Sequence, residues 1–222
     1  MKILAIDTSL NATAACVYDT DRGVVLAQES LTMERGHAEA LLPLVDRIVA
    51  KGGGFEGLGR IAVTIGPGSF TGIRIGVAAA RAFGLACGVP VVGVSTLAAL
   101  AAPLLLPGEQ TAVLAVIDAR HGQFYAQAFD AHGASLFEAT VCTARQALEL
   151  THSRTLRLVG PGAAILAIEA WTLGINAEVQ PRPPVPDIAF VARLGGMANP
   201  AHAPARPLYL KPADAQPLAQ AC

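Results

Sequence analysis

Two copies of one short pattern decide the fold of this chain: Ile3-Leu4-Ala5-Ile6-Asp7 near the start and Leu114-Ala115-Val116-Ile117-Asp118 near the middle. Each copy is an apolar run that ends in aspartate, and each is followed at the same distance by a second aspartate, Asp19 or Asp130. A repeat this long that occurs only twice does not fit a solenoid. The sequence therefore predicts two related half-domains, and a duplicated unit often places a binding site or a partner surface at its seam.

The predicted secondary structure repeats in the same way. In each copy we expect three strands, a helix, a strand and a helix, which is a sheet covered by helices. This pattern, βββαβα given twice, divides the chain into residues 1–106 and residues 107–222, the second ending in a proline-rich tail. We expect strands at 2–7, 12–19, 24–32, 61–65, 89–94, 111–118, 122–130, 134–142 and 156–160, and helices at 36–51, 71–87, 96–105, 143–151, 163–173 and 187–198.

Composition excludes several classes of protein. The 222 residues are 53% hydrophobic and 15% charged, with a net charge of −1, which argues against a large nucleic-acid surface on this chain. No signal-peptide pattern opens the sequence, and Gly, Pro or Arg interrupts every apolar run, so we expect no membrane span and a cytoplasmic location. The four cysteines lie far apart and the five histidines show no metal-binding spacing, so no metal ligand is predicted.

A glycine-rich turn, residues 66–76 (GPGSFTGIRIG), follows a predicted strand and opens a helix, a context that can bind anions. It lacks the lysine of a Walker A loop, and its third glycine is one position late for a dinucleotide-binding turn. Two interpretations stay open: a ligand loop, or a tight turn that packs a helix closely, with the second favoured. The candidate residues of this turn are Gly66, Gly68, Ser69, Thr71 and Gly72.

The helix predicted after this turn is apolar nearly all round, and its only charges are Arg74 and Arg81. Such a helix is buried on more than one side. Either the predicted helix at 36–51 covers its outer side within the monomer, or a partner protein does. The residues alone leave both possibilities open.

Two strand ends carry candidate anion or magnesium ligands. Asp7-Thr8-Ser9 follows the first strand, and Asp118-Ala119-Arg120 stands at the matching position of the second copy. A carboxylate beside hydroxyls can hold a magnesium-bound water or a phosphate, although such residues more often cap a turn. No nucleophile elbow or other catalytic motif occurs, so no catalytic residue is predicted.

Five segments together resemble the TsaB (YeaZ) family: residues 3–9, 66–76, 93–97, 118–120 and 207–211. The resemblance covers nearly the whole chain, and residues 66–76 are highly specific to the family; residues 216–222 match nothing in it. The resemblance implies the actin-like, Hsp70-like and sugar-kinase-like fold, a duplicated ribonuclease H-like unit, in agreement with the internal repeat.

The resemblance also implies a function. TsaB proteins are dimerisation or scaffold subunits of the bacterial machinery that places threonylcarbamoyl on the adenosine beside the anticodon of tRNA. They bind and activate the catalytic paralogue TsaD, the ATPase TsaE joins them, and they form homodimers when TsaD is absent. ATP or ADP and the metal then belong to the partner subunits, this chain alone binds no cofactor, and tRNA is reached only through the complex.

A non-catalytic role follows from the same comparison. The paralogue holds its metal with an HxxxH pair, and the matching segment here places Thr96 and Leu100 at those positions. Neither side chain offers an imidazole nitrogen. The five strand-end residues, Asp7, Thr8, Ser9, Asp118 and Arg120, would then be a vestigial phosphate site.

The family places its partner interface on the helices predicted at 36–51 and 71–87. Small residues there would let two backbones approach closely, and association would cover the apolar surface. The predicted contact residues are Leu41, Val45, Ile48, Gly72, Ile73, Gly76, Val77 and Ala80.

Two enzyme functions remain as alternatives within the same superfamily. An ATP-dependent phosphotransferase would use Asp7 and Asp118 at two phosphate loops, but residues 7–13 contain no glycine to let the backbone approach a phosphate. A metallopeptidase would need the missing histidine pair. Either enzyme predicts that the purified chain turns over ATP or a peptide, and that Asp7→Ala abolishes the activity.

Overall fold

The computed structural model describes residues 1–105, 108 and 110–212. The predicted elements are present, and most begin or end within two residues of the expected positions. The first half contains β1 (Lys2–Asp7), β2 (Ala12–Asp19), β3 (Val24–Thr32), α1 (His37–Lys51), β4 (Leu58–Gly66), α2 (Phe70–Cys87), β5 (Val91–Ser95) and α3 (Thr96–Ala101). The second half contains β6 (Ala112–Asp118), β7 (Phe124–Phe129), β8 (Ser135–Cys142), α4 (Ala144–Leu150), β9 (Thr155–Val159), α5 (Ala163–Thr172), β10 (Asn176–Val179) and α6 (Ile188–Met197).

The two halves share one sheet topology, which confirms the duplicated fold. The first sheet has the order β3-β2-β1-β4-β5 and the second the corresponding order β8-β7-β6-β9-β10. In each sheet the first three strands are antiparallel, the fourth pairs in parallel with the first, and the fifth pairs in parallel with the fourth. Each half therefore has the element order βββαβαβα. The expected strand at 89–94 and helix at 96–105 correspond to β5 and α3, so the second half alone has a strand that was not expected. Strand β10 was missed because its four residues (NAEV) carry too few apolar positions to predict a strand.

The first sheet is covered on both faces, and strand β1 shows how. Side chains of a strand point alternately to opposite faces. Leu4 and Ile6 therefore face the core formed with α1 and α2, whereas Ile3 and Ala5 face a second core formed with α6. All four of these β1 side chains are fully buried.

The last helix of each half packs against the sheet of the other half. Helix α3, at the end of the first half, packs Leu97, Leu100 and Ala101 against β6 of the second sheet. Helix α6, at the end of the second half, packs Ile188 and Val191 against the first sheet. Helix α6 thus belongs to the second predicted segment in sequence and packs on the first sheet in space. The predicted boundary at 106/107 lies outside the described residues and stays a prediction. Reciprocal packing ties the two halves together.

Arg60 links the first sheet to the C-terminal end of α6 through hydrogen bonds. Arg60 of β4 donates hydrogen bonds from Nη1 to the carbonyl oxygens of Gly195, Gly196 and Ala198, at 2.8, 3.0 and 2.7 Å. These carbonyls lie at the C-terminal end of α6, where the helix leaves acceptors without intrahelical partners and where a cation is favourable. Arg60 thus caps a helix that is distant in sequence.

Helix α2 is long and apolar enough to cross a membrane by length and composition alone. Its packing gives another reason for that composition, because one side of the helix lies in the core beneath the first sheet. The buried positions of α2 are Gly72, Ile73, Gly76, Val77, Ala80 and Gly84.

Candidate functional site

Asp7, the first candidate carboxylate, is fully buried at the end of β1. Its Oδ1 accepts hydrogen bonds from the Ser9 backbone N–H at 3.0 Å, the Ser9 hydroxyl at 2.6 Å and the Thr64 hydroxyl at 2.5 Å. Its Oδ2 has no hydrogen-bond partner among the described residues. Burial raises the pKa of this carboxyl above its ordinary value, and the hydrogen bonds from Ser9 and Thr64 oppose that shift. Asp7 therefore caps a turn inside the protein.

The glycine-rich turn lies directly on this strand end. The Ser69 N–H donates to the Ser9 carbonyl at 2.8 Å, and the Thr8 hydroxyl donates to the Gly72 carbonyl at 2.6 Å. A Cβ added at Gly72 would lie 2.0 Å from the Thr8 carbonyl oxygen, and one at Gly68 would lie 2.2 Å from that of Ser9. Only glycine permits these approaches, so the structure supports the packing interpretation of the turn.

The same contacts close the first strand end to ligands. Thr8 and Ser9 are 1% and 0% exposed beneath the start of α2. A phosphate at Asp7, Thr8 and Ser9 would need the space that Gly68 and Gly72 occupy. In the structure these three residues form a packing contact between β1 and α2.

The second candidate site, at Asp118 and Arg120, is exposed to solvent. Asp118 is exposed, and its Oδ1 accepts a hydrogen bond from the Arg120 backbone N–H at 2.7 Å. Both residues line a cleft of about 800 Å³ between the two halves, together with Gly68, Ser69 and Thr71 of the glycine-rich turn. The structure thus brings part of the predicted turn and the second strand end to one cavity.

Residues 208–212, called here the C-terminal segment, form a further wall of this cleft. The sequence did not predict that position. Leu208 donates its N–H to the Ile65 carbonyl at 2.7 Å, Tyr209 contacts α2, and Lys211 Nζ donates to the Ala119 carbonyl at 3.4 Å. This segment therefore bridges the halves. Its sequence was recognised as part of the family pattern, but nothing in its composition indicated a position in the cleft.

The two positions matched to the metal-binding histidines are closed as well. Thr96 and Leu100 begin and continue helix α3, and both are buried. Leu100 packs in the core that α3 forms with the second sheet. Within the described part of the chain, no three His, Cys, Asp or Glu side chains group closely enough to hold a metal ion.

The structure places the eight predicted contact residues in the interior of the monomer. All of them are buried within the monomer, and six lie in the core between the first sheet and helices α1 and α2. On α1 the apolar stripe meets the chain's own core, and on α2 the two exposed charges, Arg74 and Arg81, lie on the outer side. The outer sides of the two helices instead expose Leu42 (58%) and Leu85 (87%), so α1 leaves the outer side of α2 uncovered.

A pH experiment tests the burial of Asp7. Because its pKa is raised on folding, its contribution to stability is fully present below its ordinary pKa of 3.8 and is lost as the pH rises through the raised value. Asp7→Asn keeps the Oδ1 acceptor and carries no charge. We therefore expect its stability relative to wild type to increase as the pH rises above about 4 in urea unfolding. A difference that stays constant or falls with pH would contradict this account.

Known proteins match both the sequence and the fold. The family model described as "TsaD: tRNA N6-adenosine threonylcarbamoyltransferase" matches residues 25–193. The Escherichia coli K12 "tRNA threonylcarbamoyladenosine biosynthesis protein TsaB" is 33% identical over 173 residues, 77% of this chain and 74% of that protein. An uncharacterized Mycobacterium tuberculosis H37Rv protein is 34% identical over 223 residues, 98% of this chain and 95% of the other.

A solved structure shows the same architecture. The crystal structure of an uncharacterized Pseudomonas aeruginosa protein with similarity to peptidase YEAZ has a TM-score of 0.75 and 23% identity, and the match covers 95% of this chain and 99% of that one. At this identity the likeness concerns the fold. Together with the sequence matches over most of the chain, it shows that the protein belongs to the TsaB (YeaZ) family.

Proposed function

We propose that this chain is a non-catalytic subunit in the biosynthesis of threonylcarbamoyladenosine in tRNA, and that it acts by binding and activating a TsaD-like paralogue. The observation that carries this proposal is the closed first strand end, where α2 fills the space a phosphate would need above Asp7. The burial of Thr96 and Leu100 supports it. The name of the E. coli relative indicates the pathway.

The outer sides of α1 and α2 are the proposed partner interface. Leu42 and Leu85 are large apolar side chains exposed on neighbouring helices, and exposed apolar surface of this kind is typical of contact sites. We propose TsaD as the partner there, a second copy of this chain when TsaD is absent, and TsaE as a further member. ATP or ADP, metal and tRNA would be bound through those partners, in the cytoplasm.

Reconstitution tests the proposal. Purified TsaD, TsaE and the threonylcarbamoyl-adenylate synthase are incubated with tRNA, with and without this chain, and the modified adenosine is measured by mass spectrometry. We expect modification to fall by at least about tenfold without the chain, since a scaffold works by positioning its catalytic partner. The chain incubated alone with tRNA and the same small molecules should give no product.

A phosphotransferase is the second candidate, because the open cleft with Asp118 is large enough for a small-molecule ligand. ATP turnover by the isolated chain, reduced by Asp118→Asn, would favour it and contradict the scaffold role. Asp118 is the better position for this test than Asp7, because Asp118 is exposed in the cleft whereas Asp7 is buried beneath α2. Modification that proceeds equally without the chain would also contradict the scaffold role.

A further inference from the structure

Helix α5 of the second half exposes large apolar side chains on its outer side. Trp171, the single tryptophan of the chain, is 82% exposed, Ile168 is 70% exposed and Ile165 is 49% exposed. We call these three residues the α5 stripe. Their spacing of three residues keeps them on one side of the helix, opposite its buried positions, which are Ala163, Leu166 and Ala170.

The outer side of α5 carries no charge. Its other exposed positions are Ala164 and Thr172, and the one ionisable side chain of the helix, Glu169, is half-buried. Helix α2, which holds the same place in the element order of the first half, exposes Arg74 and Arg81 on its outer side. A contiguous apolar surface without such charges is typical of a contact site in a soluble protein.

The surroundings of α5 carry charges of both signs. Residues 144–179, which run from α4 to β10, contain three arginines and three glutamates and no aspartate or lysine, so they have no net charge with histidine neutral. On the neighbouring helix α4, Arg145 and Glu149 pair with each other at 3.0 Å. Two copies of this surface would therefore meet without a large excess of like charge.

We propose that the α5 stripe is a self-association surface, on which α5 of a second copy of this chain packs in the antiparallel direction. The stripe is symmetric about Ile168, because Ile165 precedes it and Trp171 follows it by about 4.5 Å along the helix axis. A twofold axis at Ile168 would place Ile168 against its own counterpart. The same axis packs Ile165 against Trp171 of the second copy, so that a smaller side chain meets a large ring at both ends of the contact.

The exposed area is sufficient for a weak, reversible dimer. Large apolar side chains have about 150–250 Å² of surface each, so the stripe and its two smaller exposed neighbours offer about 500 Å². A symmetric contact would bury about 1,000 Å² in total, which is near the lower limit for a specific interface. The area thus matches what a second copy needs, without any contribution from the first half.

A membrane fits the stripe less well than a second copy. Helix α5 has ten residues, about half the length that crosses a bilayer. Helices that lie on a membrane surface carry lysine or arginine on their polar side, and α5 has neither. The stripe also lies in the second half, whereas the proposed TsaD surface lies in the first, so this inference does not rest on the proposed function.

Tryptophan fluorescence tests the proposal, because Trp171 is the single tryptophan and lies in the contact itself. Emission and acrylamide quenching of the full chain are measured from about 1 µM to about 1 mM, the range in which a contact near the lower size limit dissociates. We expect emission to move to shorter wavelength as the concentration rises. Quenching should fall by at least about twofold, since an interface core is packed like a protein interior.

Two variants locate the contact. Ile168→Asp places a charge on an exposed position, so it should fold, with the circular dichroism of wild type, and it should abolish the dependence of Trp171 emission on concentration. Leu42→Asp is the matched control: it changes an exposed leucine on α1 in the first half and should keep that dependence.

Four results would overturn the proposal. Emission that is constant up to about 1 mM means that the stripe does not bind a second copy at the affinity expected for its area. A shift that persists in Ile168→Asp means that the contact does not use the stripe. A shift that is lost in Leu42→Asp places the contact in the first half. A shift that occurs only after TsaD is added means that a different protein covers α5.

Discussion

Replacing Gly72 by alanine should destabilise this protein by at least about 3 kcal/mol, the upper part of the range for an overpacked core. The new Cβ would lie 2.0 Å from the Thr8 carbonyl oxygen, an atom of the backbone that no side-chain rotation can move away. The start of α2 would have to lift off β1. Urea unfolding followed by circular dichroism measures the loss, and a soluble but partly folded variant is within the expected outcome.

The matched control is Gly59→Ala. There the added Cβ would lie 2.5 Å from Cγ and 2.8 Å from Sδ of Met1, the flexible side chain of the first residue. That side chain can rotate away, so the urea midpoint should stay close to that of wild type. If Gly72→Ala had the same midpoint as Gly59→Ala, the close packing of α2 on β1 would be wrong, and the first strand end would be open to ligands after all.

Removing the guanidinium of Arg60 should have the second large effect. Arg60→Leu leaves the carbonyls of Gly195, Gly196 and Ala198 without their charged donor. Hydrogen bonds to charged groups contribute about 1.5–3 kcal/mol each but are not additive, so we expect a loss of about 2–4 kcal/mol in the free energy of unfolding. Hydrogen exchange should locate the loosening at α6.

A surface arginine provides the comparison for Arg60. Arg47 pairs with Glu29 at 2.7 Å on the outside of the molecule, and such exposed pairs stabilise proteins little. Arg47→Leu should therefore leave α6 exchange unchanged. Faster exchange spread evenly over the chain in Arg60→Leu, without a larger change in α6, would contradict the assigned role of Arg60 as the cap of that helix.

The packing of α6 on the first sheet matters for function because the C-terminal segment follows α6 in the chain. After α6 the chain pairs with β5 at Pro204 and then lines the cleft through Tyr209 and Lys211. Tyr209 also holds Arg74 of the proposed interface. The position of α6 therefore places one short segment in contact with both the cleft and the outer side of α2.

The sequence by itself determined the duplicated fold and nearly all of its elements. Short apolar runs such as residues 3–6 and 114–117, bounded by polar residues, have the length and β-branched content of buried strands, so the local pattern was sufficient to predict them. Residues 66–76 likewise predicted the strand-to-helix turn, because glycines between a strand and a helix indicate a close approach of the backbone.

Only the tertiary structure decided which surfaces are available. The buried side of α2 could not be read from a helix apolar all round, so Val77 and Ala80 were assigned to an interface although they lie in the core. The closure of the first strand end depends on Gly72 meeting Thr8, two residues far apart in sequence. The position of α6 on the first sheet is equally non-local. Such contacts arise from the packing of whole elements, and no local pattern encodes them.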